Sequence, residues 1–152
     1  MPFNLPVVGL TEVCTLKIVL NSNYNHIAHH CHYGKVNKPY MNCYKCFRKS
    51  LLEKVIKGNP LEYSYLDRLF KIKDVQNVMK TPYMAFGNVL SYITTNYNGN
   101  HIQMKLLKQK TRGDILNCDW MHKWYPHAEE FIIPKYQMDI IEKNSKICWY
   151  DE

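Results

Sequence analysis

The chain has 152 residues, 46% of them hydrophobic and 22% charged, which is one domain's worth of ordinary globular composition and enough to bury a sizeable core. No apolar run reaches the ~18 residues of a membrane-spanning helix, and Met1 to Leu10 has neither the basic start nor the apolar length of a signal peptide. The net charge of +7 with neutral histidines favours phosphate or acidic partners, but the basic residues are scattered and form no arginine-rich tract.

Residues 1 to 12, with Pro2, Pro6 and Gly9, read as an irregular entry segment. Cys14, Leu16, Ile18 and Leu20 then alternate with Thr15 and Lys17, the period of two expected of a strand. Asn21-Ser22-Asn23 is turn chemistry, and His26 to His32 reads as a returning strand that ends in a Cys/His cluster. Tyr33-Gly34-Lys35 and Asn37-Lys38-Pro39 make a loop.

From Asn42 to Lys57 the pattern predicts a basic amphipathic helix. Phe47, Leu51, Leu52, Val55 and Ile56 recur at three and four spacing, while Lys45, Arg48, Lys49, Lys54 and Lys57 take the other positions. Gly58 and Asn59-Pro60 stop it. Residues 61 to 80 predict two helical pieces, the first with Leu61, Tyr65, Leu66, Leu69 and Phe70 as its apolar face, the second with Val75, Val78 and Met79.

Asn88 to Asn96 is rich in β-branched and aromatic residues, Asn98-Gly99 follows, and His101 to Leu107 alternates through Ile102, Met104 and Leu106. An Asn-Gly pair between such runs predicts a β-hairpin near 88–107. Ile115 to Tyr125 reads as a short helix carrying Cys118, Trp120, His122 and Trp124, the two tryptophans packing in the core. Tyr136 to Lys143 is a last strand or helix. With no internal repeat, low-complexity tract or linker, the expected fold is a single α+β domain over residues 1–152, stapled by a Cys/His zinc cluster.

Six cysteines without a secretory leader read better as metal ligands than as disulfides where histidines accompany them. Cys43-Tyr-Lys-Cys46 is a C-x2-C knuckle, whose short turn leaves both thiolates on one side of a tetrahedral zinc. His30-Cys31-His32 lies upstream, with His26 and His29 in reserve. In an extended chain, neighbours face opposite ways, so His30 and His32 can share a metal while Cys31 points away, or the reverse. A local turn would instead give the preferred set His30, Cys31, Cys43 and Cys46, with His32 as substitute. The plainer reading is that the cysteines are small buried hydrophobes and the histidines surface residues. Only three cysteines are close in sequence, which disfavours an iron–sulfur cluster.

Cys118 and His122 are spaced to share a helical face and offer a second ligand pair, with His127 beyond, against the simpler reading that the segment is core. Cys14 and Cys148 look structural. Catalytic signatures are lacking: there is no GxGxxG or GxxxxGK loop. The C-x2-C has neither the preceding proline nor the H-x-E of zinc deaminases. Asp119 with His122, or Cys118 with His101, are pairs that any small protein offers. A hydrolytic zinc would need an open coordination position and a base, for which Glu53 is the best candidate.

The order of features resembles a known family. Cys14-Thr-Leu-Lys-Ile, Tyr24 and Ala28-His29-His30-Cys31-His32, followed by Cys43, are similar to the centre of the adenovirus early-region-four thirty-four-kilodalton protein family, which has a strand, a tyrosine and an A-L-H-C-H-C-type cluster in that order. Val55-Ile56-Lys57-Gly58 is similar to its V-V-D-G segment. Met84 to Tyr92, running into Asn96-Tyr97-Asn98-Gly99-Asn100, resembles its hydrophobic strand ending in W-Y-D-G-H, and Cys118 matches its later L-H-C. The resemblance covers roughly residues 14 to 118 and departs from the family at Tyr33, where a cysteine is expected. The family's upstream cysteine block is reduced here to Cys14, and its arginine-rich helix is missing. Twelve tyrosines, with many Asn, Lys and Ile residues, match the AT-rich coding of a small viral or parasitic genome.

The resemblance implies a viral early regulatory adaptor in the host nucleus and cytoplasm. Such an adaptor would recruit host elongin and cullin ubiquitin-ligase components and a second viral early protein, and favour viral mRNA export. Its elongin-binding helix has the form [STP]-L-x3-[CSA]-x3-[VIL]. Pro60-Leu61-x3-Tyr65-x3-Leu69 fits except for the bulk of Tyr65 (Ser50-Leu51-x3-Val55 is a poorer match), so Leu61, Tyr65 and Leu69 are the candidate partner-binding residues unless they are simply a buried helix face. The alternative function is a zinc-stapled nucleic-acid-binding regulator that sets Lys45, Arg48, Lys49, Lys54 and Lys57 against phosphates. Neither reading involves a membrane.

Overall fold

Thr11 opens the first element as a helix. Its hydroxyl accepts a hydrogen bond from the Cys14 N–H at 3.2 Å, and Glu12 places a negative charge in the first turn. The computed structural model describes residues 7–28, 31, 33–35 and 38–150. In it the stretch expected as a strand is α1, Glu12–Leu20, with Val13, Cys14 and Leu16 buried. The Thr11 cap and the acidic first turn favour the helix, and its buried side chains Val13, Cys14 and Leu16 do not keep the period of two.

Helices account for most of the described residues: α2 Tyr44–Ile56, α3 Tyr63–Phe70, α4 Lys73–Lys80, α5 Gly87–Thr95, α6 Ile102–Thr111 and α7 Pro134–Ser145, with 3₁₀ turns at Asp119–His122 and Pro126–Phe131. Extended pairing among the described residues amounts to two two-residue contacts. β1 (Gly34–Lys35) runs antiparallel to β2 (Lys38–Pro39), and β3 (Lys123–Trp124) runs parallel to β4 (Trp149–Tyr150). The expected α+β class is therefore corrected to a mostly helical one. The helix foreseen over 42–57 and the two pieces foreseen over 61–80 correspond to α2, α3 and α4.

The hairpin near 88–107 is overturned. A two-residue hairpin through Asn98-Gly99 needs a positive φ at its first central residue or at both, and neither residue has one. The two runs are instead α5 and α6. Every residue from Val89 to Thr94 is buried, so tertiary burial outweighs the strand propensity of Val89, Ile93 and Thr94. The hydroxyls of Ser91 and Thr94 donate back to the carbonyls of Gly87 and Leu90 at 2.8 and 2.9 Å, which lets both polar groups sit in the core.

The chain, expected as a single domain, falls into two compact units. The first is discontinuous, formed by Met1–Ile27 with Asp119–Glu152, and the second is the continuous stretch Ala28–Cys118.

In the first unit the core holds Cys14, Trp124, Ala128, Ile132 and Cys148, flanked by Val8, Leu10, Ile140, Ile141 and Ile147. Trp124 is 1% exposed and its indole N–H donates to the Val8 carbonyl at 2.9 Å. Gly9 makes this approach possible: it has φ +79°, and a Cβ there would lie 2.4 Å from that of Ala128.

In the second unit α2 buries Phe47, Leu51 and Leu52, and Phe47 meets Phe70 of α3 edge-on at 5.2 Å. Each such side chain contributes about 1.5–3 kcal/mol by leaving water. Thr94 and Thr111 share a hydroxyl contact at 3.1 Å between α5 and α6, and Thr95 donates to the Gly113 carbonyl at 2.8 Å. A Cβ on Gly113 would lie 2.1 Å from the Thr94 hydroxyl, so only glycine fits there.

Candidate metal centre

The centre lies in the second unit, where the chain doubles back. β1 and β2 pair Gly34 with Pro39 and Lys35 with Lys38, and the Tyr40 N–H donates to the Tyr33 carbonyl at 2.7 Å. This turn returns the chain from Cys31 towards the start of α2, through Met41 in the left-handed region at φ 51°. Cys43 is the N-cap residue of α2 and Cys46 stands in its first turn, so both sulfurs sit at the positive end of the helix dipole. No side chain caps this helix end.

The sulfurs of Cys31, Cys43 and Cys46 all lie within 4.8 Å of one another, and those of Cys43 and Cys46 are 3.4 Å apart. Cys43 and Cys46 are 6% and 1% exposed, while Cys31 is half-buried. The Cys31 sulfur accepts from the Met41 N–H at 3.4 Å and its thiol donates to the Tyr33 carbonyl at 3.0 Å. Burial pushes the Cys46 thiol up to about 12, helped by hydrogen bonds to Cys31 and Cys43 and by their charges. Burial also opposes ionisation of Cys31, but hydrogen bonds from the Met41 N–H and the Cys46 thiol outweigh it and hold Cys31 below its usual range. Three thiols so placed are a site where a cation would replace protons.

The donor set fits a metal ion. Tetrahedral coordination with metal–sulfur bonds of about 2.3 Å requires sulfurs about 3.8 Å apart, which the observed separations bracket. Of the preferred set, Cys31, Cys43 and Cys46 are brought together, while His30 falls outside the described residues, as do His29 and His32. His26 stands exposed in a turn.

The second ligand pair is divided between the two units. Cys118 belongs to the second unit, where its thiol donates to the Leu116 carbonyl at 3.8 Å, and His122 belongs to the first, where Lys17 approaches its Nδ1 at 2.6 Å. Among the described residues, the three cysteines are the one group of three or more metal donors. The expectation that both tryptophans of this segment pack inside is half right, since Trp124 is buried but Trp120 is 51% exposed.

Leu61, Tyr65 and Leu69 do not form one presented helical face. Leu61 precedes α3 and lines a cavity of about 520 Å³ with Tyr63 and Tyr97, Tyr65 is half-buried, and Leu69 is 6% exposed within the core. The basic positions of α2 are largely occupied as well. Arg48 is buried with its guanidinium 3.8 Å from the centre of the Phe86 ring, Lys54 lies over the Tyr65 ring at 4.6 Å, and Lys57 pairs with Glu53 at 2.5 Å. Lys45 and Lys49 are half-buried. Glu53, the base that a hydrolytic zinc would need, is thus engaged with Lys57.

The sequence offers His101 only as a possible partner of Cys118, and the structure gives it different neighbours. It is buried, stacks on Phe70 at 5.7 Å and sets Nε2 3.1 Å from Asp67. Nothing in its local pattern signals this, because Asp67 and Phe70 are far away in the chain.

Fold and site together define a mostly helical protein with a clustered three-thiol site able to hold a metal ion. The chain belongs to the family of unknown function DUF6395, whose model matches residues 1–147. No curated protein and no solved structure matches it.

Proposed function

We propose that this chain is a zinc-stapled binding protein that recruits partners and carries out no catalysis of its own. The observation that carries this reading is the convergence of Cys31, Cys43 and Cys46 at the uncapped start of α2. A thiol-rich donor set favours zinc among the common divalent cations. One imidazole from His30 or His32, the chain neighbours of Cys31, would complete four ligands and close the coordination shell, as in structural rather than catalytic sites. Zinc bound there supplies a covalent-strength tie between the β1–β2 turn and α2.

The choice of partner rests on the resemblance to the adenovirus early-region-four family. It favours an adaptor that joins a host cullin–elongin ubiquitin ligase to a second viral early protein, in the host nucleus and cytoplasm. Recruitment through Leu61, Tyr65 and Leu69 would require Leu69 to leave the core. The basic-helix alternative has less support, because Arg48 is buried against Phe86 and Lys57 is paired with Glu53.

Zinc content measured by mass spectrometry on the wild type and on Cys43→Ser/Cys46→Ser tests the staple. The expected result is one zinc per wild-type chain and none in the double variant, with loss of hydrogen-exchange protection over residues 40–57. A well-folded wild type without metal would reject it. For the adaptor arm, zinc-loaded wild type should capture elongin and cullin from cell extract, and capture of neither would reject that arm alone.

A further inference from the structure

The cavity of about 520 Å³ that Leu61 lines opens at the opposite end of α2 from the three cysteines. The turn after α2, the start of α3 and the loop between α5 and α6 enclose it, all within the second unit. Both connections are fixed by the protein's own contacts. Gly58 ends α2 in the left-handed region at φ 66°, and the Asn59 N–H donates to the Lys54 carbonyl at 2.9 Å. In the α5–α6 loop Tyr97 is 7% exposed, and its carbonyl accepts from the Lys108 ammonium at 3.3 Å. His101 steadies both tyrosines of the wall. Its backbone N–H donates to the Tyr97 hydroxyl at 3.1 Å, and its ring meets that of Tyr63 edge-on at 5.4 Å.

No residue of the wall carries a charge. Its polar groups are two phenols and the amides of Asn59, Asn96 and Asn98, set against an apolar side of Val55, Pro60 and Leu61. Asn96 is engaged, since its amide donates to the Tyr92 carbonyl at 2.8 Å. The side-chain amides of Asn59 and Asn98 have no partner among the described residues, and the Tyr97 hydroxyl, which accepts from His101, has no acceptor there for its own proton. An ion entering this cavity would shed water without meeting a counter-charge, so the fitting occupant is neutral. A sugar carries hydroxyls around its whole rim and would leave some unpaired against Val55, Pro60 and Leu61. A nucleobase divides its surface as the wall does, with apolar faces that stack on an aromatic ring and an edge of donors and acceptors that an amide can match two at a time. The volume lies within the roughly 300–1,000 Å³ of small-molecule sites. We propose that this cavity binds a free, uncharged nucleoside, with its base against Tyr63 and its polar edge on the amides of Asn59 and Asn98.

An ordinary surface cleft would have the same lining but no such selectivity. The experiment that separates the two is titration of the full chain, purified with zinc present, with adenosine, guanosine, cytidine and uridine, followed by heteronuclear NMR. At least one nucleoside should bind saturably and shift the amide resonances of residues 58–63 and 96–99 while leaving those of 43–46 in place. Tyr63→Ala should weaken that binding roughly 5- to 100-fold, the worth of one base–aromatic stack, and Tyr63→Phe should retain it. Tyr63 is 54% exposed, so neither change disturbs the core. Asn98→Ala should narrow the preference among the bases, which a merely structural role would not do. The matching nucleoside monophosphate should bind no more tightly than the nucleoside. Absence of binding by every nucleoside at millimolar concentration, equal affinity in Tyr63→Ala, or tighter binding of glucose or of the monophosphate would overturn the proposal.

Discussion

The two units use cysteine in opposite ways. In the first, Cys14 and Cys148 are embedded among Trp124, Ile132, Ile140 and Ile147, and apolar packing holds them in place. In the second, Cys31, Cys43 and Cys46 meet where a tight turn faces an uncapped helix end, and backbone hydrogen bonds of Tyr33, Tyr40 and Met41 rather than apolar packing shape the Cys31 side of that corner. Burial alone does not distinguish the groups, because Cys46 is as hidden as Cys14. What distinguishes them is what surrounds the sulfurs. A thiol among hydrocarbon is packing material or a covalent tie, whereas three thiols facing one another are a cation site lacking only its charge.

This contrast can be broken from the side of the first unit. Trp124→Ala should cost that unit about 3–5 kcal/mol by opening a cavity at its centre. Hydrogen exchange over residues 12–20 and 134–148 should accelerate while zinc stoichiometry stays unchanged. Zinc loss in parallel would mean that the units do not behave as separate compact bodies.

A smaller and reciprocal effect is expected in the second unit. Gly113→Ala forces a methyl group against the Thr94 hydroxyl, at a cost of about 1–3 kcal/mol. Exchange in α5 and α6 should speed up, whereas exchange in α1 and α7 of the first unit should be unaffected. Wild-type exchange rates in α5 would show that the backbone moves aside freely.

The smallest effect is one of pH. Desolvation first, and then the neighbouring Lys17 charge, hold His122 below the ordinary imidazole value of 6.5, with Asp119 opposing them. The fold thus prefers the neutral ring. The stability contributed by that preference is fully present above pH 6.5 and is lost as pH falls through this value towards the lower folded one. Thermal melts of the first unit should fall in that window, and His122→Asn should flatten the slope. An identical slope in the variant would assign the effect to another group.

The sequence made parts of the molecule legible because local chemistry decides them. Phe47, Leu51 and Leu52 recur with the helical period and Gly58-Asn59-Pro60 ends it, so α2 is visible without tertiary information. The C-x2-C knuckle is equally local, and Cys31 was found because it sits among histidines. The errors fall where long-range packing prevails. Val89 to Thr94 looks like a strand because β-branched residues lose rotamer freedom in a helix, yet full burial between neighbouring helices outweighs that preference. Asn98-Gly99 carries a turn signal, but Gly99 serves the close approach of the Tyr97 ring, whose hydroxyl would lie 2.4 Å from a Cβ there. At α1 a usable local signal existed in Thr11-Glu12, an N-cap followed by an acidic first turn, and alternation hid it. The burial of Cys14 and Cys148 in one core, nearly the whole chain apart, had no local signal at all.

The first unit's discontinuity bears on how the protein is made. Everything the second unit needs has been synthesised once Cys118 has been added, whereas the first unit waits for Cys148, about 30 residues later. At roughly 5–20 residues per second, translation leaves α1 without its core for ~2–6 s after the second unit is complete. During that interval Val13, Cys14 and Leu16 are exposed, so the nascent chain offers chaperones a defined early target that the finished protein conceals.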